Sequence, residues 1–216
     1  MLLKELRQQV LEFGCMMHDA KLVRDGQGNI SVLDEESGFI VITPTTIPYG
    51  KRKLEDIGVV DRNYHLIDGD SPFTSEIALH MVFYEQRKDI RAVVHSHPLY
   101  ATAIGVIGES EMPVVLNEAA FHLGASLPIA NYGRPGTEEL ARITVEATGA
   151  GVGAIMAHHG LVTVGSSLKN AYDATLAAED TARVVILARS MSGRVVPMDS
   201  EEASILREFF IKKCGY

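Results

Sequence analysis

Three histidines and one glutamate carry the strongest chemical signal in this chain. His95-Ser96-His97 closes an apolar run of β-strand type, Ile90-Arg91-Ala92-Val93-Val94. Residues i and i+2 of a strand point to the same face, so both imidazoles can reach one ion. A catalytic zinc commonly takes three protein ligands and keeps one position open. The third candidate is His159, which follows a second apolar run, Ala154-Ile155-Met156-Ala157, and precedes Gly160. That glycine lets the backbone turn close to an ion. His158 is expected to face the other way, as a satisfied polar group beneath the site. Glu76 lies in the first turn of a helix opened by Thr74-Ser75 and is the candidate acid/base. In a metal pocket, burial raises its pKa toward neutrality while the cation opposes that shift. A tuned carboxylate beside a Lewis acid suits proton abstraction next to a carbonyl.

Loops rich in hydroxyls form a second group. Gly28-Asn29-Ile30-Ser31, Thr43-Pro44-Thr45-Thr46 and Thr74-Ser75 all fall at element ends. Singly each is an ordinary turn or cap. Together they can offer hydroxyls, an amide and a helix N-terminus to a phosphate. No Gly-x-x-x-x-Gly-Lys-[Ser/Thr] nucleotide loop occurs. His18, His65, His80 and His122 lack comparable company and read as structural or surface residues, although His80 shares the helix of Glu76.

The elements that must hold these groups follow from periodicity. Leu2, Leu3, Leu6, Val10, Phe13 and Met17 recur at helical spacing. Strand-like pieces follow at 30–33, 38–43, 64–70 and 90–95, with a further strand at 113–116. Helices are expected from Thr74, at 98–106, at 137–148, from about Ser167 to Ser190, and from about Asp199, where Asp199-Ser200-Glu201-Glu202 is similar to a capping box. Apolar strands at 154–157 and 161–164 flank His158-His159-Gly160. Mixed strands and helices without linker or repeat predict one α/β layered domain over residues 1–216.

The net charge of −8 argues against a general affinity for nucleic acid or anionic membrane. Cys15 and Cys214 form no zinc-ribbon pair and read as free thiols of a reducing cytoplasm. The charged N-terminal run reads as an amphipathic helix and not as a signal peptide, and no apolar stretch is long and charge-free enough to span a bilayer.

Taken in order, Gly28-Asn29-Ile30-Ser31, Ile42-Thr43-Pro44-Thr45, Ser75-Glu76, His95-Ser96-His97 and His158-His159-Gly160 resemble the class II aldolase/adducin family, and its bacterial fuculose-phosphate-type members most. The likeness covers nearly the whole chain. It implies a central, mostly antiparallel sheet flanked by helices, and a homotetramer with sites at subunit interfaces. It implies zinc on His95, His97 and His159, Glu76 as acid/base, and a sugar phosphate held by Asn29, Thr45, Thr46, Thr74 and Ser75. The implied reaction is cleavage of a ketose 1-phosphate to dihydroxyacetone phosphate and an aldehyde. Imidazole also suits other divalent ions.

Several positions depart from that pattern. Thr46 replaces a glycine, and Asn117 replaces a tyrosine that assists the aldehyde half. Tyr216 is the nearest substitute for a tail tyrosine. Glu118 stands where related dehydratases carry a catalytic glutamate, which implies a second acid/base and, as the alternative reaction, dehydration or decarboxylation of a related sugar; a plain buried glutamate holding Arg or His is an equal reading of that residue. A non-catalytic adducin-like binding domain is the third reading, and the retained histidines argue against it.

Overall fold

The computed structural model describes residues 1–214. In chain order its strands are β1 Asn29–Leu33, β2 Ile40–Ile42, β3 Gly58–Val60, β4 Leu66–Asp68, β5 Ala92–Ser96, β6 Glu111–Pro113, β7 Ser126–Ala130, β8 Gly153–Met156 and β9 Gly160–Gly165. The helices are α1 Lys4–Asp19, α2 Ile77–Gln86, α3 Leu99–Ile104, α4 Asn117–Leu123, α5 Glu138–Thr148, α6 Leu168–Ser192 and α7 Ser200–Cys214. The strands form one sheet in the order β4-β3-β2-β1-β5-β9-β8-β7-β6. Among these pairs β7 and β8 run parallel and the rest antiparallel.

Helices cover both faces of the sheet, which explains why its central strands read as near-continuous apolar runs. On one face Ile40, Ile42, Val93, Val162 and Val164 meet Leu79 and Phe83 of α2 and Leu140 and Val145 of α5. On the other, Ile30, Val32, Val41, Ala92 and Val94 meet Val10 and Met17 of α1 and Ala171 and Tyr172 of α6. Strand alternation therefore puts Asn29, Ser31 and His95 on the α2 side, because they share the parity of Val93 or oppose that of Ile30. All three are buried polar residues, and such groups need partners.

Helix caps follow their sequence signals. The Thr137 hydroxyl accepts from Leu140 N–H at 3.2 Å, and Asp199 Oδ1 accepts from the N–H groups of Glu201 and Glu202. One stretch departs from expectation. The strand placed at 113–116 is β6, ending at Pro113, and the chain then turns into α4. Ala119, Ala120 and Leu123 bury that short helix against α6 and α7. Two turns are too few for periodicity to declare a helix, so tertiary packing decides. Both cysteines are free, and no helix among the described residues is long and apolar enough to cross a membrane.

Candidate active site

Pairing across the sheet brings distant residues together. In the β1–β5 ladder Asn29 lies opposite His95, and in the β5–β9 ladder His95 lies opposite Val162. His97 sits one residue past β5, where its N–H donates to Leu22 O at 2.9 Å. His159 sits in the turn between β8 and β9. The ring centroids are 4.8 Å apart for His95–His97, 4.9 Å for His95–His159 and 5.1 Å for His97–His159. One nitrogen from each ring lies within 4.8 Å of the others, so the three form a possible metal site.

Glycine at 160 is required by space. A Cβ there would stand 2.5 Å from Ser96 O and 2.9 Å from His97 Cδ2. The left-handed residue of this turn is His158, with φ 59°. That backbone swings His158 outward, where it is exposed beside Tyr132 at 6.3 Å between ring centroids. It is not the buried support beneath the site that strand alternation suggested, because alternation ends where the strand does.

The donor set fits a cation on physical grounds. His95 Nδ1 lies 3.0 Å from Leu161 O, a pure acceptor, so Nδ1 carries a proton and Nε2 is the nitrogen turned into the site. Around that nitrogen stand His97 Nε2 at 2.9 Å and Glu76 Oε2 at 3.1 Å. Glu76 Oε1 lies 3.4 Å from His159 Nε2 and has no hydrogen-bond partner. A carboxylate and imidazole nitrogens this close call for positive charge among them, carried by a ring proton or by a bound cation. Imidazole held by a backbone carbonyl on its other nitrogen is also the usual orientation of a metal-binding histidine.

Electrostatics agree. Burial pushes the His97 imidazole down to about 3 and that of His159 down to about 4, with neighbouring rings adding to the effect. Both rings are therefore neutral near neutral pH, as metal binding needs. For Glu76, burial pushes the carboxyl up, but His95, the Asn29 amide and His159 together pull it well below the usual carboxylate range. The net direction is downward, opposite to the rise expected from burial alone, because partners outweigh desolvation.

Glu76 is the N-cap of α2. Four residues on, His80 shares its helix face, and Tyr84 follows one turn later. His80 is fully buried and was read from sequence as merely structural or surface. Its Nε2 lies 2.5 Å from Asn29 Oδ1 and its Nδ1 lies 2.6 Å from Ser31 Oγ, which in turn is 2.7 Å from Tyr84 Oη. Asn29 Nδ2 donates to Glu76 Oε2 at 2.9 Å. Asn29 thus has both ends of its amide engaged and is only 3% exposed. The β1–β5 register thus gives Asn29 a contact with Glu76 that the sequence did not announce. The i, i+4, i+8 spacing of Glu76, His80 and Tyr84 was the available signal, but their partners on β1 were not visible locally.

Burial pushes the His80 imidazole down to about 3, with His95 adding to the effect and Glu76 opposing it. The unfolded chain takes up that proton near its ordinary value of about 6.5. Stability is therefore intact above that value and is lost as pH falls from there toward the folded value. Metal-free protein should be roughly 2 kcal/mol less stable at about pH 5 than at about pH 7 from this group alone. Urea unfolding at the two pH values measures this; equal stabilities would contradict it.

The hydroxyl loops also come together. Pro44 bridges to Phe73, Thr45 N–H donates to Pro72 O at 2.9 Å, and Thr74 N–H donates to Thr43 O at 3.3 Å. A Cβ on Gly26 would stand 3.2 Å from the Thr46 backbone, and one on Gly136 would stand 3.4 Å from Ser75 O. Thr46 and Ser75 are exposed, Thr45 is half-buried and Thr74 is buried, its Oγ1 accepting from Glu76 N–H at 3.2 Å. Thr46 holds φ 60° at the centre of a turn closed by Ile47 N–H to Thr45 O at 2.8 Å. A β-branched residue is strained there, consistent with a position that suits glycine.

Asn117 and Glu118 start α4 and are exposed. Of the two readings of Glu118, the buried glutamate is overturned by this exposure. It lines a cavity of about 550 Å³ with His122, Asp173 and Asp180, a cavity whose wall includes none of the three clustered histidines. Tyr216 lies outside the described residues.

Residues 8–186 match the family described as class II aldolase and adducin N-terminal domain. A 5-deoxy-D-ribulose 1-phosphate aldolase of Bacillus thuringiensis serovar kurstaki is 29% identical, covering 97% of both chains. An L-fuculose phosphate aldolase of Escherichia coli (strain K12) is 30% identical over 95% of this chain and 94% of its own length. An L-ribulose-5-phosphate 4-epimerase of Salmonella paratyphi B is 25% identical over 99% of this chain and 96% of its own. Among solved structures, an L-fuculose 1-phosphate aldolase superimposes with a TM-score of 0.90 at 30% identity, covering 95% of this chain and 96% of that one.

Proposed function

This chain belongs to the class II aldolase and adducin family, whose aldolases are metal-dependent lyases acting on sugar phosphates, and on that footing we propose that it is a zinc-dependent aldolase of a ketose 1-phosphate, L-fuculose 1-phosphate or a close analogue. The products are dihydroxyacetone phosphate and an aldehyde. The observation that carries this reading is the Glu76 carboxylate, 3.1 Å and 3.4 Å from two of three clustered imidazoles.

His95, His97 and His159 would hold the ion. When bound, a divalent cation supplies Lewis-acid stabilisation of the negative charge that develops on the ketose oxygens. Glu76, ionised and acceptor-only, moves the proton at the carbon whose bond to the aldehyde breaks. In the cleavage direction it takes up the proton that the hydroxyl loses as the aldehyde forms and delivers it to that carbon; in the reverse direction it removes the proton from the carbon and returns it to the new hydroxyl. Asn29, Thr45, Thr46, Thr74 and Ser75 would hold the substrate phosphate through amide, hydroxyl and backbone N–H groups. A homotetramer with sites between subunits suits the exposed Asn117 and Glu118, which a neighbouring copy would receive.

Metal-replete protein incubated with a panel of ketose 1-phosphates should release dihydroxyacetone phosphate from at least one. Release of carbon dioxide, or loss of water without fragmentation, would replace the aldolase reading with the decarboxylase or dehydratase. The epimerase relative supports a second reading, since breaking and re-forming a carbon–carbon bond develops the same negative charge on the substrate oxygens. A single isomerised pentose phosphate, with no fragments, would establish it.

A further inference from the structure

We infer that His80 is a positioning residue: through Asn29 it aims the Glu76 carboxylate at the histidine cluster. This rests on the reading of Glu76 as the acid/base group. The argument comes from hydrogen-bond polarity. An ionised carboxylate only accepts, so the Asn29 group 2.9 Å from Glu76 Oε2 must be the NH₂ end. Asn29 Oδ1 then faces His80 Nε2 at 2.5 Å, which must carry a proton. In the neutral ring His80 Nδ1 is consequently an acceptor, filled by the Ser31 hydroxyl at 2.6 Å, and Ser31 accepts from Tyr84 Oη at 2.7 Å.

Every member has one permitted orientation, and each is buried, with Asn29 3%, His80 0%, Ser31 0% and Tyr84 1% exposed. Turning the Asn29 amide over would set its oxygen against the carboxylate and its NH₂ against the His80 N–H. His80 is thus what selects the donor end of Asn29 for Glu76. The amide has no proton to pass on, so the chain orients Glu76 and does not relay a proton to it. Loss of one buried member leaves the others unsatisfied.

The test compares His80→Leu with His80→Gln in metal-replete protein. Gln places an amide N–H near the position of Nε2, whereas Leu offers none. His80→Leu should lose at least about 30-fold in kcat with KM changed less than about threefold and bound metal unchanged, while His80→Gln recovers kcat to within about fivefold of wild type. Wild-type kcat in His80→Leu would overturn the inference. So would equal losses in the two variants that simply track thermal stability. Nitrogen-15 NMR of the His80 ring provides a readout independent of turnover. It should show the Nε2–H tautomer with a slowly exchanging proton, and Glu76→Gln should shift the Asn29 side-chain amide and the His80 Nε2–H. The Nδ1–H tautomer, or amide resonances indifferent to Glu76→Gln, would overturn the inference. If no ketose phosphate is cleaved by wild type, the aldolase reading fails, and the NMR result still decides whether His80 sets Asn29 against residue 76.

Discussion

Glu76→Gln should reduce release of dihydroxyacetone phosphate by about 10²–10⁴-fold in kcat, the range that removal of a general acid/base costs. The substitution keeps the shape of the side chain, and its amide oxygen can still accept from Asn29 Nδ2, which the carboxylate now does at 2.9 Å. What it removes is the charge that lies against His95 and His159 and the basic oxygen that moves a proton. KM and bound metal should change little, because the phosphate loops and the histidines are untouched. Steady-state kinetics with metal analysis on the same preparations separate these quantities. A variant retaining more than about a tenth of wild-type kcat would end the assignment of Glu76.

His97→Ala should abolish tight metal binding. Its Nε2 is 2.9 Å from that of His95 and its ring centroid is 5.1 Å from that of His159, so deletion leaves two imidazoles where catalytic sites use three protein ligands. Wild-type protein should copurify with about one divalent ion per chain, and the variant with almost none. A second consequence is thermodynamic. An ion present at about 1,000 times its Kd stabilises the folded state by roughly 4 kcal/mol, so added zinc should raise the thermal midpoint of wild type and leave that of the variant nearly unmoved. Wild-type metal content in His97→Ala, measured by elemental analysis, would remove this residue from the site.

How much of this was readable before folding depends on the range of the interaction. His95 and His97 declare their common face through a two-residue spacing at the end of an apolar strand, and Asp199 and Thr137 declare helix starts through short-range cap chemistry. Such signals survive in one dimension because the physics acts within a few residues. The apolar runs likewise announce a sheet covered on both faces.

Only the tertiary structure decided which loops meet. The β1–β5 register set Asn29 opposite His95, which made it a partner of Glu76 and brought His80 into contact with the site. It also placed Glu118 on an exposed helix start beside a separate cavity, and gave the left-handed turn to His158. Residues 29, 76, 80, 95 and 159 are far apart in the chain, and no local periodicity encodes which of them will touch. Strand register and helix packing, which minimise buried unpaired polar groups over the whole molecule, make that choice.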